Sequence, residues 1–245
     1  MNPLAWIGDA FDAHCLVLAE GLTGRELLLR LGVDPADLFT PEDEDEADEF
    51  LWAGMEDYWS WGAARAGEAN GWAYALEPAS LWAASPQRLE RASDGTRVFG
   101  CWYADGSEDV AYWQDGSLVT RFETLTPQQR SGADPDRLAE AMRRVGLAEA
   151  AAVHLSHPGL ALAHEVTGVA LSGEETLLAL TGKLPADDDA SKLSGSGSGE
   201  PPSTGSFDFV GGAVGGPVGG PPVVRRAAGK ARTTPGAGTS GGAGS

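Results

Sequence analysis

Lysine is missing from the first 182 residues of this 245-residue chain, where all 11 basic side chains are arginine and the first lysine is Lys183. Against them stand 31 of the chain's 36 acidic side chains, so this stretch carries a net charge of −20 and the remainder about +1. A surface this negative repels nucleic-acid phosphates and anionic membranes, because binding either depends on Lys and Arg patches that displace counterions. Arginine-only usage beside abundant Ala and Gly fits a high-GC coding bias rather than a chemical need. Cysteine is scarce as well. Cys15 and Cys101 offer no C-x-x-C spacing and no disulfide framework, which fits two buried thiols in a reducing compartment. No basic segment followed by an apolar stretch opens the chain, and no apolar run nears the ~20 residues that span a bilayer. These absences predict a cytoplasmic protein without a membrane segment.

The usual catalytic and cofactor motifs are absent too. The chain has no G-x-S-x-G, no Walker sequence and no H-E-x-x-H, and its acidic run lacks the glycine that an EF-hand loop needs at its sixth position. Residues 236–241 match G-x-G-x-x-G, but a dinucleotide fingerprint needs a strand before it and a helix after it, and the surrounding sequence predicts neither. No cofactor or metal is therefore expected.

Tryptophan is abundant, and all eight lie in the first half: Trp6, Trp52, Trp59, Trp61, Trp72, Trp82, Trp102 and Trp113. Beyond Thr181 the only aromatics are Phe207 and Phe209, so the packed core is expected to end near Gly182. This divides the chain into an acidic α+β domain, residues 1–182, and a Gly/Pro/Ser-rich tail, residues 183–245. A domain of that size buries roughly 70% of its unfolded surface and needs no staple. The tail has too little apolar surface to offset its ordering entropy and is predicted to be disordered. Its Arg225, Arg226, Lys230 and Arg232 form a weak positive patch.

Periodicity predicts a helix over residues 3–19, from Leu4, Ile7, Phe11, Leu16 and Leu18. Thr23-Gly-Arg-Glu26 has the form of a capping box, opening a second helix that Gly32 stops. Residues 42–49 hold seven acids in eight positions and predict a solvated loop entering a helix, which carries Leu51, Met55, Tyr58 and Trp59 and ends by Gly62. Strand patterns follow at residues 72–76, 98–104, 110–113 and 118–122, with one helix around Pro86, Leu89 and Arg91. Asp105-Gly106 and Asp115-Gly116 tolerate the positive φ of type I′ turns, so the last three strands are antiparallel hairpins. Helices return after Asp134-Pro135 up to Gly146, over 159–167, and over 172–180. The expected fold is a small antiparallel meander of about four strands packed with N- and C-terminal helices.

Three residue groups invite a functional reading. His154, His157 and His164 cluster in sequence but lack helical i, i+4 pairing and a nearby Cys, so cap or surface roles are favoured over a metal site. His14 and Cys15, as helix neighbours, would diverge by about 100 degrees and make no dyad. Trp and Tyr residues near Glu56, Asp57 and Glu77 suggest an aromatic pocket with carboxylates for a cationic group, its core formed by Trp72, Glu77 and Trp82. The competing reading, which the amphipathic spacing favours, is that these aromatics fill the core.

Several of these residues together resemble an uncharacterised actinobacterial family known only as a domain of unknown function. They are His14-Cys15-Leu16 before Gly21-Leu22, Gly71-Trp72 leading to Glu77-Pro78, Trp82, the segment from Ser85-Pro86 to Leu89, Asp134-Pro135 with Leu138, and residues 162–169 ending in Thr167-Gly168-Val169. The resemblance covers most of the first 180 residues and implies no reaction or ligand. Members usually carry Asn-Gly after the Glu-Pro pair, where this chain has Ala79-Ser80-Leu81.

With no catalytic constellation and a large negative charge, the leading expectation is a non-enzymatic interaction domain, regulatory or immunity-like, facing a basic partner protein. The alternative is a small-molecule binding protein or hydrolase using the Trp72, Glu77 and Trp82 neighbourhood.

Overall fold

The computed structural model describes residues 2–57, 59–147 and 156–186. Seven strands form one antiparallel sheet rather than about four. They are β1 (His14–Glu20), β2 (Trp61–Ala69), β3 (Trp72–Pro78), β4 (Arg97–Ala104), β5 (Ser107–Gln114), β6 (Ser117–Glu123) and β7 (Leu180–Pro185), in the order β6-β5-β4-β1-β3-β2-β7. Among the described residues seven α-helices accompany them: α1 (Ala5–Ala10), α2 (Gly24–Leu31), α3 (Glu44–Glu56), α4 (Pro86–Ala92), α5 (Ala139–Arg144), α6 (Pro158–Thr167) and α7 (Gly173–Leu177). The architecture is α+β with helices on both faces of the sheet.

The expected helix over residues 3–19 is divided. Its first half is α1, and its second half is β1, the central strand, paired with β3 and β4. Residues 14–19 are buried on both sides, with Leu16 and Leu18 in one core layer and Cys15 and Val17 in the other. An apolar run of that kind satisfies a helical count and a doubly buried strand equally, and only the neighbouring strands decide between them. β2 went unread because Trp-Gly-Ala-Ala-Arg-Ala-Gly-Glu-Ala has little β-branched character. Its small residues instead permit close approach: a Cβ on Gly24 of α2 would lie 2.7 Å from the Gly67 nitrogen. β7 replaces the end of the expected helix over 172–180, and α7 stops at Leu177. β7 pairs with β2 and runs past Gly182 to Pro185.

The acidic run belongs to a helix, not a loop. Asp43 caps α3, accepting from the Glu46 N–H at 2.9 Å, and Glu44, Asp45 and Glu46 lie in the first turn where the helix dipole favours negative charge. The favourable end position outweighs the mutual repulsion of the run. After Asp134-Pro135 the chain turns before α5 starts at Ala139. The Thr23 and Ser172 capping boxes, the left-handed Gly32, and the positive φ of both residues in the Asp105-Gly106 and Asp115-Gly116 turns are all present. Asn70-Gly71 makes a third such hairpin, between β2 and β3.

One core layer holds Leu16, Leu18, Phe99 and Tyr112 beneath α1, α3, α5 and α6. The other holds Cys15, Val17, Trp102 and Trp113 beneath α2 and α4. At the rim of the second layer two arginines cap helix C-termini reciprocally. Arg88 donates to the Leu31 carbonyl of α2 at 2.6 Å and to Pro185 at 2.5 Å, while Arg30 donates to Ala92 of α4 at 3.2 Å. Both place positive charge at the negative ends of helices.

Candidate functional site

The three residues expected to line a pocket fall into two places. Trp72 and Glu77 are five residues apart on β3, so the strand pleat sends them to opposite faces. Trp72 packs in the first core layer, with the Arg97 guanidinium 5.9 Å from its ring. Glu77 pairs across to Cys15 in the second layer and is fully buried. Glu77 and Trp82 do meet, through backbone. The Glu77 Oε1 accepts from the Ser80 hydroxyl at 2.5 Å and the Trp82 N–H at 3.0 Å, and Oε2 accepts from the Ala83 N–H at 2.8 Å. The carboxyl thus ties down the turn after β3. Burial pushes its pKa up, while these three donors and the Arg88 charge pull the other way. The strand beside it leaves no room for change, since a Cβ on Gly62 would lie 2.2 Å from Ser80 Oγ and 2.3 Å from Glu77 Oε1.

A second location is the outer side of α3. Leu51, Gly54 and Met55 face the sheet, and Phe50 packs edge-on against Phe39 at 4.9 Å and tilted against Trp61 at 5.0 Å. Apart from Ala53, the exposed residues of α3 on the opposite side are acids and Trp52. All seven carboxylates of residues 42–49 are exposed, as are Glu56 and Asp57, and between them stand Trp52, 43% exposed, and Trp59, 62% exposed. Trp59 was expected on the buried side; it sits beyond the end of α3, where the helical face no longer applies. Tyr58 lies outside the described residues. No Lys, Arg or His occurs from Leu31 to Ala64.

A third location went unanticipated. The strand register aligns His14 of β1 with Tyr103 of β4, and Tyr103 with Glu108 of β5, so the three share one face in a single row. His14 is fully buried and its ring stacks on Tyr103 with centroids 5.7 Å apart. Its Nδ1 is 3.4 Å from the Phe11 carbonyl, which can only accept, so Nδ1 carries the proton and Nε2 presents a lone pair. Burial, opposed by that carbonyl, drops the His14 pKa to about 4. Glu108 is buried in turn. Its Oε2 accepts from the Gly159 N–H at the start of α6, at 2.8 Å, and burial pushes its pKa up to about 7 despite stabilising contacts from Gly159, Leu160 and Thr124. His157, just before α6, brings its ring to 6.0 Å from both His14 and Tyr103.

This row was partly legible. The two-residue Asp105-Gly106 turn fixes Tyr103 opposite Glu108, but placing His14 there requires knowing that residues 14–20 form the strand next to β4. Of the three clustered histidines, His157 joins the row, His164 bonds its own helix end at the Val169 carbonyl, and His154 lies outside the described residues. Cys15 projects to the face opposite His14, and burial pushes the thiol pKa of both cysteines up, leaving them unreactive. Among the described residues no group of three or more His, Cys, Asp or Glu side chains is arranged to hold a metal ion. None of their helices is long and apolar enough to cross a membrane.

Fold and surface together define an acidic α+β domain, built on one antiparallel sheet and carrying its densest negative charge on an outer helix. The chain belongs to the family of unknown function DUF6461, which matches residues 4–179. No curated protein and no solved structure matches it.

Proposed function

We propose that this domain is a non-enzymatic interaction module, regulatory or immunity-type in role, that engages a basic partner protein through the outer side of α3. The observation that carries this reading is the conjunction of nine exposed carboxylates with two exposed indoles on a stretch free of basic side chains. Carboxylates steer and orient a basic partner, and a tryptophan among them supplies apolar anchorage and a face for a cation. Charges alone would give speed and selectivity; the indoles add contact area. Lys183 illustrates the chemistry within the domain, its ammonium standing 4.5 Å from the Trp61 ring. Glu77 and Trp82 give no comparable support to a small-molecule pocket, because the carboxyl is spent on the turn.

A nona-arginine peptide titrated into the full chain, followed by tryptophan fluorescence, tests the reading. The expected Kd weakens at least tenfold between 50 and 300 mM NaCl, Trp52→Ala weakens it further, and Asp45→Lys with Glu49→Lys abolishes binding. The same reversal at Glu174 and Glu175, on α7, has a minor effect. Equal losses from the two reversals would overturn α3 as the interface.

A further inference from the structure

We propose that the His14, Tyr103, Glu108 and His157 cluster is a binding site for a primary ammonium group. Two polar atoms motivate it: His14 Nε2 and Glu108 Oε1 are both buried and have no hydrogen-bond partner among the described residues. Buried polar atoms in folded proteins are nearly always paired, and an orphan on each side of one aromatic ring calls for a shared partner. Both are acceptors when the imidazole is neutral and the carboxyl ionised, so the partner must donate at least twice. An ammonium group donates three times.

The surroundings fit a cation. The rings of His14, Tyr103 and His157 stand within about 6 Å of one another, giving π-faces for a positive charge, and Glu108 adds formal negative charge. Asp9 marks the open side, 3.8 Å from His157 Nε2 and largely exposed. His14 and Glu108 stand on the strands either side of β4, roughly 10 Å between backbones, and share one face of the sheet. The helices give way to this cluster. A Cβ on Gly8 of α1 would lie 2.1 Å from the His157 ring, and one on Gly159 of α6 would lie 2.8 Å from the Glu108 carboxyl. His157 itself is held at φ 54°, ψ 63°, a conformation that costs a non-glycine residue energy and that turns its ring over the row.

Protonation adds a signature. The groups facing the site are Asp9 from α1, His14 from β1, Cys101 and Tyr103 from β4, Glu108 from β5, and His157 from the turn before α6, while Asp109, next along β5, points to the opposite face. Ammonium binding requires ionised Glu108, whose proton leaves near neutrality, so affinity rises with pH through about 7.

Thermal unfolding of the full chain with 1–100 mM ethylammonium chloride, against sodium chloride at equal ionic strength, tests this. A saturable rise in Tm is expected with ethylammonium alone, about tenfold tighter at pH 8 than at pH 6, lost in Glu108→Gln and weakened in Tyr103→Leu. In parallel, the His14 Nε2 resonance in nitrogen-15 spectra should move with the same Kd, a readout that does not depend on any variant folding. An equal rise with sodium, a shift retained in Glu108→Gln, or an unmoved His14 Nε2 would each overturn the proposal.

Discussion

At the scale of single residues, the buried row makes stability depend on pH through two opposed titrations. Glu108 keeps its proton in the native state where the unfolded chain has released it, so its contribution is lost as pH rises from the ordinary carboxylate range through about 7. His14 declines a proton that the unfolded chain accepts, so its contribution is lost as pH falls from about 6.5 through 4. Over the shared interval these two slopes oppose each other. Glu108→Gln removes one of them. Urea denaturation at pH 5 and pH 8 should show the variant gaining on the wild type as pH rises, by up to about 3 kcal/mol; parallel pH profiles would show that the buried carboxyl is not the group responsible. Glu77 is pushed up by burial in the same direction, but three donors to its carboxyl and the Arg88 charge oppose the shift and hold the group in the turn.

At the scale of elements, two glycines separate backbone strain from steric exclusion. Gly106 in the β4–β5 turn has φ 85° with open space where a Cβ would go, so Gly106→Ala should cost only the left-handed penalty, about 1–2 kcal/mol. Gly62 of β2 instead faces Ser80 and Glu77 at contact distance. Gly62→Ala should cost more than Gly106→Ala in equilibrium urea unfolding, because it also dislodges the turn that Glu77 anchors; the reverse order would mean that this turn is not held as described. Elements whose signal was local were readable before the structure. Capping boxes at Thr23 and Ser172 and the Asp-Gly hairpins depend on residues two or three apart. β1 and β7 were not readable, because their residues become strands only through partners 52 to 124 positions away, β3 and β4 beside β1 and β2 beside β7, while β2, though it turns tightly into β3, has little β-branched character.

At the scale of the whole molecule, a net charge of −20 on the first 182 residues opposes compaction. Screening should therefore stabilise the protein. Its Tm should rise between 20 and 300 mM NaCl, by about 2–4 °C for each kcal/mol of repulsion removed, over the same range in which peptide binding weakens. A Tm that stayed level or fell with salt would show that the carboxylates are already compensated within the fold. By itself the sequence determined the acidity, the hairpin turns, the capping boxes and the α+β class, because each follows from composition or from neighbours along the chain. Only the tertiary structure decided that a seven-stranded sheet has His14–Glu20 at its centre, that Trp72 and Glu77 face apart, and that His14, Tyr103, Glu108 and His157 meet. Strand register sets Tyr103 and Glu108 beside His14 from 89 and 94 positions away, and the start of α6 brings His157 from 143 positions away; both are set by which surfaces pack, not by any local pattern of residues.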